Sequence, residues 1–263
     1  MDYAHAELAL PRVIGHRGGA ACAPENTLAG LRQASALNCR WVEFDVRLTA
    51  DARPVLLHDS RLERTTDGRG KVSALSLAAL RRHDAGSWFG PFFAGERVPT
   101  LEEAITLLAE LGLGANVELK ATRGREAETG MVVADLLIRR WPSARPELLI
   151  SSFKPAALSG ARARAPEIAR GILFRTIPKN WRAVAERLGC ATIHADHQRL
   201  RPALVAEIRE AGYPLLAYTV NDPGRAKALF DWGVTSVFSD DPSLSIEPRR
   251  VAAHVKDQSG ETP

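Results

Sequence analysis

WVEFDVRLTADARPVLLHD, residues 41–59, is the stretch from which the architecture is read. Val42, Phe44, Val46 and Leu48 alternate with Glu43, Asp45 and Arg47, and in an extended strand side chains two apart share a face. One face is therefore apolar and the other carries two carboxylates side by side. Turned inward, such a pair repels itself unless a cation or hydrogen-bond donors satisfy it. After a polar turn at 50–53, a second apolar run, Val55-Leu56-Leu57, delivers His58-Asp59. The expectation is that Glu43 and Asp45 hold a metal and that His58 faces the same site.

Outward from this stretch the chain alternates. Before it lie a short buried strand, 12–15, the turn His16-Arg17-Gly18-Gly19, and a helix opened by Pro24-Glu25-Asn26-Thr27 with Leu28, Leu31 and Ser35 at helical spacing. The glycines at 18 and 19 suit a sharp turn and close approach of a ligand to the backbone. Beyond it, residues 60–99 break the rhythm with a turn cluster at 65–70, a short helix at 75–82 and an aromatic loop at 87–93. That loop reads either as a lid formed by Trp88 and Phe89 or as a small satellite core. Thr100-Leu101-Glu102-Glu103 is a capping box. Strands then follow at 115–120, 148–151, 169–174, 191–195, 214–220 and 235–239. Helices separate them at 126–140, 155–164, 180–188, 202–211 and 223–232. In the first of these, Met131, Ala134, Leu137 and Ile138 are expected to point inward. Eight strands alternating with helices through short loops predict a parallel sheet closed into a (β/α)8 TIM barrel, with an insertion after the second strand. The expected division is a leader at 1–11, one barrel domain over 12–252 including the insertion at 60–99, and a polar tail at 253–263, with a last helix somewhere past Asp241.

Bulk composition narrows the class. The chain has 263 residues, enough for one such barrel, with 45% hydrophobic and 25% charged residues. A net charge of +4 without a polybasic run gives no nucleic-acid arm. No apolar run approaches the roughly 20 residues of a membrane span, and the N-terminus does not read as a secretory signal. Cys22, Cys39 and Cys190 are isolated, against both a disulfide framework and a thiolate zinc site, so a cytoplasmic protein without membrane insertion is expected. There is no G-x-G-x-x-G after the first strand and no P-loop. The pattern sets no oligomeric state.

In barrels of this kind the strand C-termini carry the active site. The polar residues there are His16-Arg17, Glu43, Asp45, His58-Asp59, Asn116, Glu118 and Lys120, then Ser151-Ser152, His194-Ala195-Asp196, Tyr218, Asn221 and Ser239-Asp240. Three carboxylates without soft ligands favour one hard divalent cation, Mg²⁺ or Ca²⁺. The set suits cleavage of a phosphate ester. A cation polarises a phosphoryl oxygen, Arg17 and Lys120 neutralise the remaining charge, and two histidines divide the proton work. His194 and Asp196 are expected at the rim without an assigned role.

At these residues the chain resembles the glycerophosphodiester phosphodiesterases, and particularly their cytosolic bacterial branch. The resemblance rests on GHRGGAACAPENT at 15–27, EFD at 43–45, LLHDSRLERTTDGRG at 56–70, ELK at 118–120 and YTVND at 218–222, with GSWFG at 86–90 and RLGCATIHADH at 187–197. It implies a (β/α)8 barrel with an insertion, His16 and His58 as the acid–base pair, and Glu43, Asp45 and Glu118 as ligands of one divalent metal. It also implies that Arg17 and Lys120 contact the phosphate of a small-molecule glycerophosphodiester. The implied reaction yields sn-glycerol 3-phosphate and an alcohol, either through attack of the neighbouring glycerol hydroxyl or by direct attack of water. Tyr218 departs from the Trp that relatives often carry there, but still offers an aromatic face to the glycerol. The alternatives are a barrel phospholipase acting on intact lipid and a catalytically silent phosphodiester-binding protein; in the latter, loss of an acid or a histidine would be expected, and the set is complete.

Overall fold

The computed structural model describes residues 8–143 and 147–244. Residues 1–7 of the expected leader, the last helix and tail, and the domain end at 252 lie outside those residues. The first strand is β1 (Val13–Gly15), followed by α1 (Leu28–Ala36) and β2 (Trp41–Leu48). After β2 come a short β3 (Pro54–Leu56), α2 (Leu77–Leu80), α3 (Leu101–Leu111) and β4 (Gly114–Leu119). Regular alternation then runs through α4 (Glu126–Arg140), β5 (Leu148–Ser152), α5 (Pro155–Arg164), β6 (Ala169–Phe174), α6 (Trp181–Leu188) and β7 (Thr192–Asp196). It finishes with α7 (Pro202–Glu210), β8 (Leu215–Tyr218), α8 (Pro223–Trp232) and β9 (Ser236–Ser239). Among the described residues, eight parallel strands in the order β1-β2-β4-β5-β6-β7-β8-β9 close into a (β/α)8 barrel, because β1 pairs with both β2 and β9. β3 is an antiparallel flap on the end of β2, with Val46 opposite Leu56.

The alternation of β2 sorts its side chains. Val42, Phe44 and Val46 join the large core between sheet and helices, whereas Trp41 joins the lumen cluster with Ile14, Leu149, Leu216 and Phe238. Glu43 and Asp45, in phase with Trp41, therefore project into the barrel. The capping box holds, with the Thr100 hydroxyl accepting from Glu103 N and the Glu103 carboxylate accepting from Thr100 N. α1 starts later than the sequence predicts: Thr27 is its N-cap, and Pro24 accepts the Thr27 hydroxyl proton instead of entering the helix.

The inward face of α4 is only half the expected one, with Ala134 and Leu137 buried as expected but Met131 and Ile138 not. Met131 and Ile138 are 44% and 39% exposed, while Gly130, Val133, Ala134 and Leu137 are buried. The helix is rotated because it crosses α5 at backbone contact distance. A Cβ on Gly130 would stand 2.0 Å from the Ala157 carbonyl oxygen, and one on Gly160 2.2 Å from that of Ala127. Small residues at the crossing, not the larger apolar ones, set the buried face.

In the insertion the satellite-core reading accounts for the apolar residues. Val55, Leu57, Leu62, Val72, Leu80, Ala85 and Val98 form a separate buried cluster. Trp88, Phe89, Phe93 and Phe92 run outside it as an edge-to-face chain, Trp88 tied to the Ala85 carbonyl and Phe92 92% exposed.

Candidate active site

Barrel closure gathers residues from the strand ends around a cavity of about 180 Å³ at the C-terminal mouth of the lumen. His16, Arg17, Glu43, His58, Glu118, Lys120 and Tyr218, all candidates from the sequence, line it. Asp45, the remaining candidate, lies directly behind, 1% exposed. Trp88 and Phe89 do not line it.

The acids are brought together by register. β2 and β4 run side by side with Asp45 opposite Glu118, and Glu43 is one inward position earlier. One carboxylate oxygen from each lies within 4.8 Å of the others, and all three residues are buried. Oxygens sharing one hard cation stand at most about 4–5 Å apart, twice a metal–oxygen distance of ~2.0–2.6 Å, so the set fits one divalent ion. Glu43 reinforces this: its Oε2 accepts from Arg17 N at 2.9 Å, but its buried Oε1 has no hydrogen-bond partner. Burial, followed by the charges of Asp45 and Glu118, pushes the Glu43 carboxyl well above the usual carboxylate range. Burial also raises Asp45, but the Lys120 and Arg17 cations outweigh it and hold that group well below the ordinary value. Lys120 Nζ stands 2.5 Å from Glu118 Oε1 and 3.3 Å from Asp45 Oδ1. Asn26 completes Asp45 by donating to Oδ2 and accepting from its backbone N–H, both at 2.9 Å.

Each histidine is held from behind by a carboxylate. His16 Nδ1 lies 2.6 Å from Asp240 Oδ1, and His58 Nδ1 lies 2.7 Å from Asp59 Oδ1. Contact with His16 and a bond from Asn221 keep Asp240 acidic against its burial, and the Arg64 guanidinium holds Asp59 down at about 2. Ionised carboxylates only accept, so Nδ1 of each ring is the donor and Nε2 is left for the cavity. Burial, reinforced by Arg17 and Lys120, lowers the His58 pKa.

Several contributors were not singled out from the sequence. Arg64, from the insertion, donates to Asp59 Oδ2 at 2.6 Å and to both oxygens of Glu25 at 2.7 and 2.8 Å. Glu25 in turn accepts from Arg17 NH1 at 2.8 Å. A continuous chain of charge-assisted bonds thus links His58 to Arg17. Arg47 donates to the carbonyls of His58 and Lys120, pinning two site segments by their backbones. Arg17 itself adopts φ of +52°, a conformation costing a non-glycine residue ~1–2 kcal/mol. The bonds at Arg17 N and NH1, with the ion pair to Asp45 at 3.5 Å, hold it there. The neighbouring glycine is required by packing: at φ +91°, a Cβ on Gly18 would come within 2.9 Å of the Gly30 backbone in α1.

Of the two rim expectations, one is corrected. His194 is not at the rim but inside the lumen, 0% exposed, bonded to the Thr192 hydroxyl and packed on Phe238. It sits two residues before the end of β7, which places it below the mouth. Asp196 does reach the strand end, where it caps the following turn by accepting from Gln198 N. Tyr218 donates its hydroxyl to the Phe174 carbonyl at 3.0 Å and meets Phe153 edge-to-face.

Comparison with known proteins agrees with this geometry. The model of the glycerophosphoryl diester phosphodiesterase family matches residues 16–244. The glycerophosphodiester phosphodiesterase of Caldanaerobacter subterraneus subsp. tengcongensis is 32% identical over 235 residues, which span 89% of this chain and 96% of that protein. Among solved structures, an Oleispira antarctica phosphodiesterase in complex with the product sn-glycerol-3-phosphate is 45% identical with a TM-score of 0.87, covering 89% of this chain and 94% of that one. A glycerophosphodiester phosphodiesterase from Agrobacterium tumefaciens is 27% identical with a TM-score of 0.76, covering 89% and 98%.

Proposed function

The chain belongs to the glycerophosphoryl diester phosphodiesterase family, and on that premise we propose that it hydrolyses glycerophosphodiesters to sn-glycerol 3-phosphate and an alcohol, His16 and His58 acting as general acid and base. The carrying observation is that both imidazoles, each oriented by a carboxylate at Nδ1, border one cavity beside the three-acid cluster. One ring takes the proton from the attacking oxygen, a glycerol hydroxyl or water, and the other gives a proton to the departing alcohol. Each such transfer contributes on the order of 10²–10⁴-fold. Arg17 and Lys120 bind the phosphoryl oxygens, and Tyr218 borders the glycerol.

Glu43, Asp45 and Glu118 would hold one divalent cation, Mg²⁺ or Ca²⁺, which when bound supplies Lewis-acid polarisation of the phosphoryl group. Lys120 then neutralises acid charge on one side and phosphate charge on the other, a role its contacts at 2.5 and 3.3 Å suit. A single domain over 12–252, with its insertion, is taken to carry the activity. A cytoplasmic site of action is part of the reading; it is supported by three free cysteines, two of them buried. No helix among the described residues is long and apolar enough to cross a membrane.

The test is a coupled assay of glycerol 3-phosphate release from glycerophosphocholine or glycerophosphoethanolamine, with and without chelator. Turnover should require the metal, and His16→Ala and His58→Ala should each lose at least about 100-fold. Full turnover in both variants would remove the histidines from the mechanism.

A further inference from the structure

The catalytic cavity, at about 180 Å³, is smaller than the roughly 300–1,000 Å³ that encloses a drug-sized ligand. It has room for part of a diester, so the departing alcohol must extend past the wall. A second, separate cleft lies at the neighbouring strand ends. The hydroxyl of Tyr218 donates to the carbonyl of Phe174, and the next residues, Arg175 and Thr176, open the loop after β6. That loop and the one after β7 border a cleft of about 570 Å³ lined by Thr176, Gln198, Arg199, Arg201 and Leu204.

Its charge is one-sided. Residues 175–180 and 196–201 read RTIPKN and DHQRLR, with four Lys or Arg and a single carboxylate. That carboxylate, Asp196, is engaged with Gln198 N at 2.9 Å and lies 3.6 Å from Arg199 Nε. Among the described residues, the side chains of Arg175, Lys179 and Arg201 have no ion pair or hydrogen bond. The Arg175 and Arg199 charges work against the burial and the carboxylates that push the Tyr218 phenol up. Next round the barrel, the loops after β8 and β9 instead carry Asp222, Asp240 and Asp241. A cationic alcohol such as choline would meet uncompensated like charge in this cleft, and an anionic one would meet free partners.

Resting on the phosphodiesterase reading, we propose that the cleft between the loops after β6 and β7 is an alcohol subsite selecting glycerophosphodiesters whose departing alcohol carries a second anionic group, a phosphate monoester. Arg199 and Arg201, which line the cleft, contact that group, Arg175 and Lys179 add to the field, and glycerol phosphate occupies the catalytic cavity.

The experiment compares kcat/KM of the metal-loaded protein on glycerophosphocholine, on glycerophosphoglycerol, and on glycerophosphoglycerol phosphate. The phosphorylated substrate should lead glycerophosphocholine by about tenfold, as expected from a few half-exposed charge contacts. The lead should shrink as salt rises from about 0.05 to about 0.5 M, where screening shortens to a few ångströms. In Arg199→Glu/Arg201→Glu, the ratio of the two kcat/KM values should fall to one or below; this ratio is insensitive to the amount of folded enzyme. Equal kcat/KM for the three substrates in the wild type, or a preference unmoved by the double substitution, overturns the subsite while leaving the phosphodiesterase reading intact. No turnover of any of the three overturns that reading and the subsite with it.

Discussion

Replacing His194 with glutamine should flatten part of the acid side of the stability curve. The imidazole is fully enclosed in the lumen, with one bond of 2.9 Å to the Thr192 hydroxyl, no partner on Nδ1 and the Phe238 ring 5.3 Å away. No carboxylate compensates a charge there, and burial alone pushes the pKa down to about 3. In the unfolded chain the same ring titrates near ~6.5. Between those values the unfolded chain binds a proton that the native state refuses. Stability is therefore complete above about pH 6.5 and declines by about 1.4 kcal/mol per unit as the pH falls towards about 3. From about pH 7 to about pH 5 the loss from this residue is about 2 kcal/mol. Glutamine keeps a partner for Thr192 and never ionises. Urea unfolding of both proteins at the two pH values gives the quantity required, since other titrating groups cancel in the difference. Relative to wild type, the variant should gain about 2 kcal/mol at the lower pH. Parallel profiles would mean that the ring is solvated or already charged, and would refute the burial argument.

Arg64→Met removes the link between Asp59 and Glu25 while leaving both histidines in place; kcat/KM should drop on the order of 10²-fold with added guanidinium restoring part of it, and wild-type kinetics would dismiss the chain of ion pairs. Glu43→Gln removes one of three mutually repelling acids, so the metal-free protein should melt no lower than wild type, while turnover and the rise in Tm on adding Mg²⁺ or Ca²⁺ both disappear; a metal-induced rise that persists would contradict the ligand assignment. Ellman's reagent should leave Cys39 and Cys190 untouched until the protein unfolds, because both are buried and the Cys190 thiol is pushed up to about 12 by burial; rapid native labelling of either would be inconsistent with the packing.

Much of the molecule is written in local pattern. The two-residue period of 41–48 separates a helix-facing side from a lumen-facing side, and Thr100 with Glu103 announces a helix start; both signals act within a few residues and survive in the fold. The candidate set at the mouth was legible for the same reason, since in a barrel each strand end is also a sequence position. Local pattern was insufficient where a contact between distant elements decides. The buried face of α4 follows its backbone approach to α5 at Gly130, so hydropathy placed Met131 and Ile138 on the wrong side. His194 looked like a rim residue because its exact height in the strand depends on barrel stagger.

The sequence by itself determined the alternation of strands and helices, the pair of acids on one strand face, and the identity of the groups able to do the chemistry. Only the tertiary structure decided how those groups are held. His16 and Asp240 are 224 positions apart and meet because β1 hydrogen-bonds to β9 as the barrel closes. Asp45 meets Glu118 and Lys120 through the β2–β4 register, and Arg64 reaches Glu25 from an insertion whose own small core sets its direction. Side-chain period is a property of a few successive residues; charge neutralisation in a buried site is a property of closure.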